Sequence, residues 1–299
     1  MQTIERQHEH MAPVAPTGWR ERKRKRERNA KIFAFLVLVI GAIIFAAPFL
    51  FMLSTSLKTL SQADKMAPFE LPNPVYWRNY GEAMAQMNFW VDLRNTVVIT
   101  YANVVGVMLS SSIVAYGFAR LSFPGKNFWF GLMLSTMMLP PIAVLLPLYA
   151  FYRDIGWVNT FLPLTIPAFF GSAYMIFLLR QFFMTLPHEL EDAARIDGCG
   201  SFNIFWRIFL PLSMPALITV GIFTFMGSWN NLFGPLVYLR TPDKYTLSVG
   251  LAQFNGLYST EYGRLMAASI VIVLPLLILF FAAQKYFIKG IVLSGLGGR

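Results

Sequence analysis

The chain has 299 residues, of which 56% are hydrophobic and only 13% charged, and its formal net charge is +10. A soluble domain carries about 25% charged residues, and here the charges are clustered, so the pattern points to an all-α, polytopic membrane protein. The single cysteine, Cys199, excludes an internal disulfide and a cysteine metal cluster.

Residues 1–31 are polar and basic, and composition predicts no structure up to about Gly18. Seven of the nine residues from 20 to 28 are Lys or Arg, directly before the first apolar run. That placement reads as a topology signal that also touches anionic membrane lipid. Nucleic-acid binding would need an ordered basic face with base-reading residues, and nothing supplies one. His8, His10 and His188 have no ligand spacing with another donor, so no metal site is expected.

The first expected span is 32–53, 22 residues without a charge, longer than a signal-peptide core of about 7–15 residues. A polar loop follows over 54–94, broken by Pro68, Pro72 and Pro74, with a short helix near 77–87. Further spans are expected at 95–119, 127–152 and 155–179, each longer than the roughly 20 residues needed to cross a bilayer. After a polar interval at 187–215 come spans at about 216–238 and 265–284, then a glycine-rich tail, 285–299. Six spans put both termini on one side. With that side inside, 17 Lys and Arg lie in inner segments and 8 in outer loops, so the positive-inside rule places both termini and the 187–215 interval in the cytoplasm.

These spans contain no Asp, Glu, His, Lys or Arg, which argues against proton coupling but leaves sodium coupling through carbonyls and hydroxyls open. There is no phosphate-binding loop: Gly125-Lys126 lacks the upstream glycine and the hydroxyl. No nucleophile–base set stands out, so no catalytic residue or cofactor is expected, and energy must come from a partner chain. Polar side chains within the spans include Asn103, Ser110, Ser111, Tyr149, Ser228, Asn230 and Asn231. Uncharged hydroxyls, amides and aromatic rings suit a sugar. Helix–helix hydrogen bonding, worth about 0.6 kcal/mol each, competes as an explanation for any one of them. Trp229, Asn230 and Asn231, between Gly227 and Gly234, are the foremost pathway-lining candidates, and Tyr149 of the third span is a further one.

The 187–215 interval holds two short helical segments. Pro187 suits a first helical position, Glu189, Glu191 and Asp192 crowd the first turn, where acids oppose the helix dipole favourably, and Glu191 and Arg195 are spaced to pair on one face. Gly198 and Gly200 are stop signals, and an aromatic-rich segment from Ser201 to Leu210 meets Pro211. Asp192-Ala193-Ala194, three residues, Gly198, nine residues, then Ile208-Phe209-Leu210-Pro211 is a fixed-gap pattern. It resembles the EAA loop, the cytoplasmic signature of ABC importer permeases, with Asp192 where that family usually has Glu.

Ser228-Trp229-Asn230-Asn231 with Gly234-Pro235-Leu236, Met266-Ala267-Ala268-Ser269 with Pro275, Tyr286 to Gly290, and Ala115 to Arg120 are similar to the maltose-type carbohydrate importers, specifically their smaller, MalG-like permease subunit. The similarity covers residues 30–299. It implies a subunit paired with a second, homologous permease, two cytoplasmic ATP-binding subunits, and an extracytoplasmic binding protein that delivers a sugar or oligosaccharide across a prokaryotic inner membrane. It further implies that Glu191, Asp192, Ala193, Ala194, Gly198, Ile208, Leu210 and Pro211 couple the permease to the ATPases. The family's C-terminal tail reaches between the ATPases, which makes Gly295, Gly297 and Arg299 contact candidates, although the tail departs from the usual ending. Tyr245 and Asn255, in the outer 241–263 segment, are further pathway candidates. A secondary carrier or a channel leaves the pattern at 192–211 unexplained. Glycerol phosphate as solute would favour cationic residues near the pathway.

Overall fold

The structure, a computed structural model, describes residues 17–67, 69–254 and 261–295, with side chains at all of these except 17–23, 64, 283 and 285–295. Among the described residues the regular structure is entirely helical.

Helix α1 (Thr17–Ser56) runs 40 residues, about 60 Å at 1.5 Å per residue, so the basic run is continuous with the first span. Lys and Arg are good helix formers, and nothing between them and Ile32 breaks the helix. Helix α2 (Leu60–Lys65) starts in a capping box between Thr59 and Gln62. Helix α3 (Arg78–Gln86) occupies the expected 77–87 segment. Helix α4 (Phe89–Arg120) has 32 residues and begins before the expected boundary at 95, taking in Asp92 and Arg94.

The expected third span, 127–152, is broken. Helix α5 (Lys126–Ser135) passes through a 3-10 turn at 136–138 and then meets α6 (Pro141–Asp154) at 96°. The cause is Pro140-Pro141: each proline forces the residue before it out of the helical region, and Leu139 and Pro140 are extended, at ψ 119° and 133°. The expected fourth span also moves. Residues 155–161 form a connector in which Asn159 takes a left-handed φ of 63°, and the crossing run is Leu162–Thr185. It contains α7 (Leu162–Thr165), a 3-10 stretch at 166–170 and α8 (Ala173–Thr185).

The polar interval folds as α9 (Glu189–Ile196), α10 (Ser201–Ile204), one π-helical turn at 205–209 and α11 (Leu210–Leu212). Helix α12 (Met214–Trp229) leaves it at a bend of 77°. The π turn has a local cause: Pro211 offers no N–H to the carbonyl four residues back and crowds it, and the helix widens to relieve the clash. The expected 216–238 span is split at residues 230–232 between α12 and α13 (Phe233–Tyr238). After α14 (Leu247–Ala252) comes α15 (Tyr262–Gly295), whose 34 residues carry helix into the stretch expected to be a flexible tail.

Among the described residues four helical runs are long and apolar enough to cross a membrane, and up to six if each bent pair counts as one span. Their ends carry Asp92, Arg94, Arg120, Arg180 and Arg264. The expectation of spans free of ionisable residues therefore holds for their middles only. Helices continue past the apolar slab because their backbone bonds are satisfied on either side of it, and long arginine stems let the charge sit at the interface.

Helix α4 lies at the centre, packed on α8 and α12, while α15 packs on α1, α3 and α12. Two cores result. One gathers Ala115, Tyr116, Leu179, Phe183, Ala194, Ile204, Phe205, Phe209 and Val220 around the 187–215 interval. The other gathers Ala83, Met87, Phe89, Trp229, Leu247, Phe254 and Ala268 at the far end of α4. Helix α14 crosses α4 so closely there that a Cβ on Gly250 would stand 2.3 Å from Asp92 Oδ2.

Candidate functional site: the signature loop and the opposite mouth

Helix α9 begins at Glu189 with His188 at its N-cap, so Pro187 stands just outside it rather than at the first position. The helix is amphipathic. Glu191 and Ala194 turn inward and are buried, whereas Asp192, Ala193 and Arg195 face outward. Glu191 accepts a hydrogen bond from Arg195 at 2.8 Å, one turn on. Ala194 contributes to the loop-end core, and its small side chain lets α9 lie close on the bundle. Gly198 adopts φ +81°, a conformation that only glycine takes without strain, and this reverses the chain into α10.

Ile204, Phe205 and Phe209 fasten the second segment into that core. Tyr116 of α4 is the hub: its ring lies 5.3 Å from Phe205, 5.1 Å from Phe209 and 6.3 Å from Phe183. Of the other coupling candidates, Ile208 and Leu210 are half-buried against the core and Pro211 is exposed. The outward surface mixes acids with apolar groups: Ile196 is 86% exposed and Phe202 72%, with Phe202 stacked on Trp206. Such a surface is suited to receive a partner with an apolar cleft and cationic rim.

The structure separates the pathway candidates at the opposite end. Trp229 does not line a surface. It is 3% exposed, its ring stacks on Phe225, and its Nε1 donates to the Ile272 carbonyl at 3.1 Å. An indole in a helical run brings a large apolar area that packing claims first, with one N–H that needs a partner. Asn230 and Asn231 are exposed in the α12–α13 break, Asn230 donating back to the Met226 carbonyl at 2.9 Å and Asn231 accepting from the Gly234 N–H at 3.1 Å. Tyr149 and Tyr245 converge on Arg240: its guanidinium donates to the Tyr149 hydroxyl, and Tyr245 donates to its carbonyl at 3.4 Å. Tyr149 also stacks on Tyr238, and Lys244 Nζ donates to the Asn159 carbonyl at 2.6 Å. Hydropathy reading missed Arg240 because it lies just beyond the expected fifth span.

Asn255, Gly297 and Arg299 lie outside the described residues, and Gly295 is the last residue of α15. A cavity of about 260 Å³ opens beside α3, lined by Tyr76, Asn79, Glu82 and Arg264 among others.

A family model described as "Binding-protein-dependent transport system inner membrane component" matches residues 78–292. The arabinooligosaccharides transport system permease protein AraQ of Halalkalibacterium halodurans is 40% identical over 210 residues, which is 70% of this chain and 75% of the relative. The probable ABC transporter permease protein YurM of Bacillus subtilis is 34% identical over 273 residues, 91% of this chain and 89% of the relative. Among solved structures, a chain of a bacterial ABC transporter involved in the import of the acidic polysaccharide alginate superposes with a TM-score of 0.75 at 24% identity, covering 92% of this chain and 100% of that one. The fold is the same.

Proposed function

The chain belongs to the family of binding-protein-dependent transport system inner membrane components, the permease subunits of ABC importers, and on that premise we propose that it forms half of the translocation pathway for a sugar or oligosaccharide. A second, homologous permease supplies the other half, and an extracytoplasmic binding protein delivers the solute. Two ATP-binding subunits dock from the cytoplasm, each taking one signature loop, and both termini of this chain lie on their side.

The observation that carries the coupling role is the division of labour on α9: Glu191 and Ala194 are buried in the bundle while Asp192, Ala193 and Ile196 face away from it. A loop with one face built into the core and the other left open can pass a displacement from a partner into the helices. The carbohydrate reading is supported by the arabinooligosaccharide permease at 40% identity and by the exposed amides of Asn230 and Asn231, with the half-buried hydroxyls of Tyr149 and Tyr245 held on Arg240.

The test is capture of the tagged chain from detergent-solubilised native membranes, with identification of all co-eluting proteins. An ATP-binding subunit, a second permease and a solute-binding protein are expected, and the ligand carried by the last names the sugar. Recovery of the chain alone, or only with copies of itself, overturns the proposal.

A further inference from the structure

One side chain outside the signature loop holds its seat. Arg120 is the last residue of α4. Its Nη2 donates to the Phe183 carbonyl at 2.6 Å and to the Leu186 carbonyl, and its Nη1 meets His188 Nδ1 at 2.9 Å. Its guanidinium also lies over the Phe209 ring, 4.8 Å from the centroid. Four structures therefore converge on one cation: the end of α4, the end of α8, the N-cap of α9 and the π turn that leads to α12.

The chemistry suits a fork-shaped cation. The carbonyls at the end of α8 are short of partners: that of Phe183 accepts one long bond, from the cap N–H of Leu186 at 3.3 Å, and they form the negative end of the helix dipole, where a cation is favoured. Arginine presents several donors in a rigid plane and stacks on aromatic rings, which lysine does not do. Among the described residues Arg120 has no carboxylate within ion-pair distance, so its bonds here are to carbonyls, an imidazole and a ring. In the same junction the Tyr116 hydroxyl and Arg120 Nε, both buried, have no hydrogen-bond partner among the described residues. Unmade bonds of that kind destabilise a buried arrangement.

We infer that Arg120 is a positioning residue for coupling: it ties the α8–α9 turn to the end of α4, so that a displacement of the signature loop moves the central helix. This rests on the importer reading above. A plain structural brace would lower assembly and ATP hydrolysis together. A positioning residue separates hydrolysis from the movement of α4.

The experiment uses the complex captured through this chain, with Cys199→Ser to remove the native thiol and Leu109→Cys on an exposed position of α4. The rate of labelling by a fluorescent maleimide is measured with and without ATP and vanadate, beside ATP hydrolysis. The unsubstituted Arg120 complex is expected to change its labelling rate with nucleotide. Arg120→Gln is expected to keep the ATP-binding subunit and hydrolysis but lose that change. Arg120→Lys keeps the charge without the fork and is expected to restore part of it, and His188→Ala to weaken it less than Arg120→Gln does.

A labelling rate that ignores nucleotide with Arg120 present overturns the inference, as does full retention of the change in Arg120→Gln. Should Arg120→Gln fail to assemble, normal coupling in both Arg120→Lys and His188→Ala overturns it equally. Absence of any co-purified ATP-binding subunit instead sinks the importer reading itself, so the two failures are distinguishable.

Discussion

The two ends of α4 are held by different physics. At its last turn the bundle is joined to the signature loop mainly by aromatic packing of Tyr116, Phe183, Phe205 and Phe209, and the directional bonds come from one side chain, Arg120, which also lies over the Phe209 ring. At its first turns the joints are directional. Asn95, fully buried, donates to the carbonyls of Asp243 and Tyr245, both at 2.9 Å. The Thr96 hydroxyl accepts from the Leu247 N–H at 2.9 Å. Around this end, Asn79 of α3 donates to the carbonyls of Ser56 and Lys58 at 2.9 and 2.8 Å, and Arg264 of α15 pairs with Glu82 of α3 at 2.9 Å and with Glu261 at 2.7 Å. Dispersion contacts vary slowly as surfaces slide, whereas hydrogen bonds weaken steeply with angle. The loop end thus rests mainly on packed rings with one arginine fork across them, and the other end adds a wider set of hydrogen bonds to its core.

The largest expected effect tests the aromatic end. Phe209→Ala empties a fully buried site and is expected to destabilise the chain by roughly 3–5 kcal/mol. Thermal denaturation in detergent should show it, with proteolysis beginning in the 187–215 loop. If cleavage instead began in the 239–254 segment, the division between the two ends would not hold.

Asn95→Leu probes the directional end. It removes the two hydrogen bonds to carbonyls and a long one accepted from Arg94 at 3.5 Å, and leaves the two carbonyls without that donor, at about 2–4 kcal/mol in total. Hydrogen exchange is expected to accelerate in residues 243–252 while the signature loop stays protected. Equal acceleration at both ends would mean that α4 transmits every disturbance along its length, and the contrast drawn above would collapse.

The smallest effect is in pH dependence. The hydrogen bond from Arg264 holds the Glu82 carboxyl below its ordinary value of 4.5, joined by a hydrogen bond from Tyr76 and opposed by partial desolvation. A carboxyl depressed in the fold stabilises it above the unfolded value, and the contribution is lost as pH falls through the folded one. The melting temperature should therefore drop as pH falls below about 4.5, and less so in Glu82→Gln. Identical acid profiles for the two proteins would remove this pair from the account of the directional end.

Much of this was legible in the chain. Hydropathy and charge spacing carried the all-helical, multi-span class, and the gaps from Asp192 to Pro211 carried the resemblance to the family to which the chain belongs. The helix over 189–196 follows from local rules: acids in the first turn, a pair four residues apart, glycine after the end. The interruption at Pro140-Pro141 was visible as residues but not as a 96° turn.

Other features were settled only when distant segments met. Trp229 reads as a lining residue beside two amides, yet Phe225 and the Ile272 carbonyl claim it. Helix ends slid by several residues because a helix is stable on either side of the apolar boundary, so hydropathy marks the slab and not the helix. Arg120 reads as a boundary charge until the last carbonyls of α8, the N-cap of α9 and the Phe209 ring arrive around it. Local pattern reports which face of an element is apolar and where its backbone must stop. Which long side chain satisfies the unpaired ends of other helices depends on their positions in space, and those arise only from packing.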